Sequence, residues 1–215
     1  MKDRQKIAII SAEMFGTFML ACAVLASLRL FTFTAAWYAS ISVGLTLSLL
    51  VLTLGKVSGS HVNPAVTIGL WTMQKIKAAQ ALTYIAAQVV GGALALFFYE
   101  FVTNTSSELV ATPFDARVFI AEVVGAAIFG FGIAAVVLKK LDGFQAAYAV
   151  GFSLFLGVLV ASIAAPAYLN PAVALANSIF DWTVVLAPIL GVSAGMQLYA
   201  LLLMTDRKVA KVSKK

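Results

Sequence analysis

The sequence predicts an all-α membrane protein: six transmembrane helices plus two re-entrant half-helices, arranged as inverted three-helix repeats. Three observations predict it. Of the 215 residues, 62% are hydrophobic and 11% are charged, with a mean hydropathy of +0.99, whereas a soluble domain carries roughly 45–50% apolar and about 25% charged residues. Six apolar stretches are long enough to cross a hydrocarbon core about 30 Å thick at about 1.5 Å per residue. Several short segments recur in the same order at a nearly constant offset.

Composition also excludes other classes. Disordered chains are poor in apolar residues. A single cysteine, Cys22, forms no intrachain disulfide, and a single histidine, His61, argues against a His-based metal site. No metal and no cofactor are expected.

The first span is expected over Ile7–Leu28. It follows the basic stretch Met1–Lys6, but its apolar run exceeds the roughly 7–15 residues of a signal-peptide core. Spans follow at Ala35–Leu54, Ala78–Val102, Arg117–Leu138, Gly143–Ala164 and Trp182–Met204. Two apolar pieces, Pro64–Met73 and Pro171–Phe180, are too short to cross. Each opens on proline, tolerated in the first helical turn, and each follows an asparagine suited to N-capping. They read as half-helices starting at Asn63 and Asn170.

Basic residues set the orientation. With a cytoplasmic N-terminus, the inside segments hold 13 Lys and Arg residues and the outside segments only Arg29 and Arg117. The Arg207–Lys215 stretch reads as a cytoplasmic anchor near anionic lipid, and no nucleic-acid partner is expected. The expected location is the plasma or inner membrane, multi-pass, with both termini cytoplasmic. The chain reads as one channel domain over 1–215, with repeats of about 7–102 and 117–204 and a basic tail over 205–215.

The repeat rests on three matches. Ala12-Glu13-Met14-Phe15-Gly16 pairs with Ala121-Glu122-Val123-Val124-Gly125 at an offset of 109. Gly44-Leu45-Thr46-Leu47 pairs with Gly151-Phe152-Ser153-Leu154, and Asn63-Pro64-Ala65-Val66 with Asn170-Pro171-Ala172-Val173, both at 107. With three spans per half, the second half enters from the opposite face, so the two Asn-Pro-Ala starts converge near the midplane.

On these residues the chain resembles the major intrinsic protein family, the aquaporins and glycerol facilitators. Ser58 through Thr67 matches the family's first signature, and Asn170-Pro171-Ala172 stands as the second. The resemblance covers essentially the whole chain from Glu13 to the sixth span. It implies passive, bidirectional flow of a neutral solute through one pore per subunit of a homotetramer, without covalent chemistry.

The residues point the same way. Broken helices inside a membrane are tolerated only where they are buried in protein or line a wet cavity. Two helix N-termini aimed at one point disfavour a cation, and the Asn63 and Asn170 amides can donate to a passing oxygen. Such a site favours water or small neutral solutes over ions. Glu13 and Glu122 read either as a proton relay or as acceptors that hold the re-entrant loops. Their equivalent repeat positions, without a chain of titratable neighbours, favour the second, and so does the resemblance. His61 reads as a loop brace or as a pH switch, with bracing preferred.

The chain departs from the family at the outer constriction. Most members carry arginine directly after the second Asn-Pro-Ala, and here that position is Val173. Counting back 20 residues from Asn63, then 12 and three from Asn170, assigns Val43, Val158 and Ala167 to the other positions. The expected selectivity filter is therefore wide and apolar, able to pass glycerol, urea or ammonia, or else to dewet. Ala174 replaces the aspartate common in glycerol facilitators, so a dedicated glycerol role is not favoured. The alternatives are an ion-conducting channel, or a proton- or cation-coupled transporter of the same architecture. No nucleophile–base set or phosphate loop suggests an enzyme.

Overall fold

The computed structural model describes residues 2–30 and 35–212; of residues 2, 30, 35 and 204–212 only the backbone is described. Lys214 and Lys215 of the expected basic tail lie outside the described residues. Eight helices follow in order: α1 (Lys2–Leu30), α2 (Ala35–Ser58), α3 (Pro64–Thr72), α4 (Ala78–Thr103), α5 (Ala116–Lys139), α6 (Gly143–Ala161), α7 (Pro171–Ala176) and α8 (Trp182–Val212). Among the described residues six of them, all but α3 and α7, are long and apolar enough to cross a membrane.

Several hydroxyl side chains within the spans pair with their own helix, as lipid requires. Thr17 Oγ1 donates to the Glu13 carbonyl at 2.8 Å and Ser27 Oγ to the Ala23 carbonyl at 2.7 Å, each one turn back. Asp115 caps α5 by accepting from the Arg117 N–H at 2.8 Å. Hydrogen bonds from the Arg117 side chain and backbone hold its exposed carboxyl down to about 2. Asp181 takes the Thr183 and Val184 N–H groups at the start of α8 and also receives Thr112 from the long connecting loop. Burial pushes its pKa up, but these donors outweigh it and hold it below the ordinary value.

Both half-helices begin as expected. Asn63 and Asn170 are extended, with φ of −158° and −152°, and their side-chain oxygens accept the Ala65 and Ala172 N–H groups. The second half-helix ends earlier than its apolar run suggests, at Ala176 and not Phe180. Asn177 Nδ2 folds back onto the Val173 carbonyl at 2.8 Å, and Ser178 turns the chain at φ 59°. The chain then pairs with Val110 through two backbone bonds, Val110 N–H to Ser178 O and Phe180 N–H to Val110 O. Similarly α6 stops at Ala161, short of Ala164, and tight turns lead into Pro166, whose ring disfavours helix in the residue before it.

The packing repeats with the sequence. Helices α1, α2 and α4 form one group and α5, α6 and α8 the other, but the half-helices are exchanged. Helix α3 packs on α8 as well as α4, and α7 packs on α4 and α1. The halves meet directly where α2 lies against α6 and α3 against α7. Glycines permit these approaches. A Cβ on Gly91 would lie 2.2 Å from the Met14 carbonyl oxygen, and one on Gly191 2.3 Å from that of Val123, the repeat counterpart of Met14. Gly44 and Gly151, themselves repeat counterparts, face each other: a Cβ on Gly151 would sit 2.4 Å from the Gly44 oxygen.

Helical glycines should therefore divide by their surroundings. Gly195→Ala puts a Cβ 1.9 Å from the Ala127 carbonyl oxygen, so it should lower the melting temperature of the detergent-solubilised protein. Gly55→Ala meets nothing nearer than Val51 Cγ1 at 3.8 Å. It should leave the melting temperature unchanged or raise it, by a helix-propensity gain of up to about 1 kcal/mol. A melting curve that ranked the two the other way would contradict this packing.

Candidate functional site: two half-helix tips between two cavities

The tips of α3 and α7 are joined by a reciprocal latch. Asn63 Nδ2 donates to the Leu169 carbonyl at 2.9 Å, and Asn170 Nδ2 donates to the Val62 carbonyl at 3.0 Å. Each amide nitrogen carries two hydrogens. The latch uses one, which leaves the second available to a solute.

The loops feeding these tips are held in an uncommon conformation. Ser60 and Val62 have φ of 52° and 44°, and their counterparts Ala167 and Leu169 have 59° and 50°. Non-glycine residues rarely adopt this region and keep it only where their surroundings hold them there. Two buried carboxylates do so. Glu13 Oε1 accepts the His61 N–H at 3.0 Å and Oε2 the Val62 N–H at 2.8 Å. Glu122 accepts the equivalent pair, Tyr168 N–H at 2.9 Å and Leu169 N–H at 3.0 Å.

The two braces are unequal. Glu13 also receives Ser58 Oγ at 2.6 Å and Gln88 Nε2 at 2.7 Å. The counterpart of Ser58 in the second half is Ala165, and that of Gln88, aligned on the matching Gly91–Met14 and Gly191–Val123 contacts, is Pro188; neither has a side-chain donor. Gln88 further donates to Thr67 Oγ1 at 3.0 Å, and Tyr84 OH donates to the Ser58 carbonyl at 2.6 Å. His61 Nδ1 lies 3.2 Å from Thr67 Oγ1, and its ring packs on Tyr84 with centroids 4.8 Å apart.

A cavity opens on each side of the joined tips. The upper one, toward the end of α1, holds about 210 Å³. Asn63 and Asn170 line it, and so do all four expected filter residues, Val43, Val158, Ala167 and Val173. The rest of its wall is mostly apolar, from Leu20, Val24 and Leu154 among others, with Tyr168 and Ser162 adding polar groups. The lower cavity holds about 290 Å³ between α2, α3, α5 and α6, with Val66 and Leu70 of the first half-helix in its wall. His61 lines both. Pro64, Ala65, Pro171 and Ala172 are buried in the half-helix starts and shape the tips.

Four participants escaped the sequence reading. Ser58 and Gln88 complete the Glu13 brace, and a glutamine in the middle of an apolar span was the available signal. Leu47 and Phe129 lie in the walls of both cavities. The repeat alignment was the signal there, since Phe129 occupies the position of Leu20.

Comparison with known proteins places this geometry in context. A family model described as "Major intrinsic protein" matches residues 2–199. Nodulin-26 of Glycine max is 30% identical over 221 residues, covering 94% of this chain and 80% of that protein. Aquaporin Z of Photorhabdus laumondii is 29% identical, covering 90% of this chain and 96% of that protein. In structure, the chain is similar to the aquaglyceroporin from Plasmodium falciparum, with a TM-score of 0.75 at 21% identity over 90% of this chain and 95% of that one.

The unequal braces carry a stability prediction. Glu122→Ala strands two buried backbone N–H groups, at about 1–3 kcal/mol each. Glu13→Ala strands the equivalent pair and also unpairs Gln88 and Ser58. Thermal melting in detergent should show the larger loss for Glu13→Ala, and equal or reversed losses would contradict the asymmetry.

Proposed function

The chain belongs to the major intrinsic protein family, and on that premise we propose that it is a passive transmembrane channel for water and small neutral solutes, with its path running through the two cavities past the joined tips of α3 and α7. The observation that carries this reading is the reciprocal Asn63–Leu169 and Asn170–Val62 latch with a cavity on either side. A solute at the tips meets the two amide donors and an otherwise mostly apolar wall that includes the Phe129 and His61 rings. It can exchange a few hydrogen bonds but cannot keep a full hydration shell. The N-terminal ends of the half-helices add positive potential at the same depth, which opposes cations.

In this reading Asn63, Pro64, Ala65, Asn170, Pro171 and Ala172 form the central station. Glu13, Glu122 and His61 hold its loops. Val43, Val158, Ala167 and Val173 form the outer filter. The filter has no charged or aromatic side chain, so it sets little size or hydrogen-bonding discrimination, and glycerol, urea and ammonia join water as permeants. The positive-inside distribution supports cytoplasmic termini, which makes the upper cavity extracellular, in a cell membrane. The single domain over 1–215 and a homotetramer with one pore per subunit complete the proposal.

Stopped-flow light scattering on reconstituted vesicles tests it. Wild-type vesicles should pass water, glycerol and urea faster than protein-free vesicles, without saturation and without dependence on a proton or sodium gradient. Val173→Arg should narrow the outer filter and cut glycerol flux by about tenfold, a barrier change near 1.4 kcal/mol, with a smaller effect on water. Flux driven by an ion gradient would overturn the passive reading in favour of a coupled transporter. A conductance across a planar bilayer that Val173→Arg abolishes would favour an ion channel.

A further inference from the structure

We propose that the narrowest and driest point of the path is an interior collar made by Phe129, Leu47 and His61, and that this collar, not the outer filter, sets the upper size limit for neutral solutes. The inference rests on the channel reading and goes beyond it.

Three observations carry it. Between the residues that line the upper cavity and those that line the lower one, only Leu47, His61 and Phe129 are shared. They belong to α2, the loop before α3, and α5, so they close on the path from three directions. Leu47 and Phe129 are each 1% exposed, so the wall that the two cavities share is made of side chains almost closed to water. The four outer residues are nearly as buried, but they line only the upper cavity of about 210 Å³ and have no part in the wall shared with the lower one. The expected filter residues therefore face one cavity only, and the division between the two cavities lies at Leu47, His61 and Phe129.

The sequence repeat shows how the collar arises. Four equivalent wall positions flank the tips: Leu20 and Phe129 on α1 and α5, and Leu47 and Leu154 on α2 and α6. Three are leucine and one is phenylalanine. The aromatic ring breaks the pseudo-symmetry and fills the space that a fourth leucine would leave. Chemically, the collar offers a solute two apolar walls and one imidazole edge. A polar molecule crossing it must shed most of its water, and an apolar constriction of this kind gates by dewetting as well as by size.

Reconstituted vesicles carrying Phe129→Leu, Phe129→Trp and the outer-filter variant Val158→Ala test the collar, with water, urea, glycerol and the larger polyol erythritol as probes. Folding is checked by melting temperature and elution in detergent, and the two Phe129 variants pull in opposite directions, so either alone suffices. Phe129→Leu should raise glycerol and erythritol flux by about tenfold relative to water. Phe129→Trp should reduce all four fluxes, and Val158→Ala should raise them less than Phe129→Leu does. Flux in Phe129→Leu but none in wild type also supports the collar, as a closed one. Wild-type flux that both Phe129 variants leave unchanged would overturn the collar and leave the channel reading intact. No flux above protein-free vesicles in any variant would overturn both.

Discussion

Breaking a helix inside lipid exposes backbone groups that water cannot reach, and everything else in this structure follows from how those groups are paired. The critical residues are Val62 and Leu169. Each gives its N–H to a buried carboxylate, Glu13 or Glu122, and its carbonyl to the asparagine of the opposite tip. Each also sits at positive φ, so neither would hold its position through local preference. An unpaired backbone group at this depth costs several kcal/mol. The carboxylates are thus retained, despite the expense of burying charge, because they accept two donors at once in a place where nothing else could. The asparagines are retained because one side chain can cap its own half-helix and latch the other.

The two halves solve this problem with different degrees of redundancy. In the first, Glu13 has four donors, and Gln88 and Thr67 extend the pairing to α3 and α4. In the second, Ala165 and Pro188 stand where Ser58 and Gln88 would, and Glu122 holds its loop through backbone groups. The second half-helix is also shorter, six residues against nine. Its end is secured from outside instead: Val110 of the long connecting loop pairs beside Ser178, and Asp181 ties Thr112 to the start of α8. Packing, loop tethering and side-chain bracing are interchangeable ways of fixing the same geometry.

Most of the fold was legible in the sequence because lipid enforces a simple code. Six apolar runs mark six spans, and proline after asparagine marks both half-helix starts. The inversion follows from three spans per repeat. What escaped shows where the code ends. An apolar run says nothing about where a half-helix stops, so Ser178 and its pairing with Val110 were invisible and the end was placed at Phe180 instead of Ala176. At the site, counting from Asn63 and Asn170 reaches the four residues expected at the filter, and all four line the upper cavity. Phe129 could not be reached so, since a phenylalanine in an apolar helix looks like any lipid-facing or core side chain. Only the pairing of Phe129 with Leu20 through the repeat, together with the cavities on either side, separates it from the fourteen other phenylalanines.

An apolar outer ring and a closed interior collar are physically consistent. A narrow outer filter needs donors to repay the hydration that it strips away, and arginine with histidine is one way to supply them. Once Val173 and Val158 occupy those positions, a narrow ring there would strip water and return nothing. A wide ring is the workable alternative, and the four residues line a cavity of about 210 Å³. Apart from Tyr168 and Ser162 in the upper wall, the hydrogen-bonding side chains that remain are Asn63, Asn170 and His61, and these lie at or beside the point where Leu47 and Phe129 divide the path. Narrowness and hydrogen-bonding capacity have moved inward together, because separating them would leave either a barrier that nothing crosses or an opening that selects nothing.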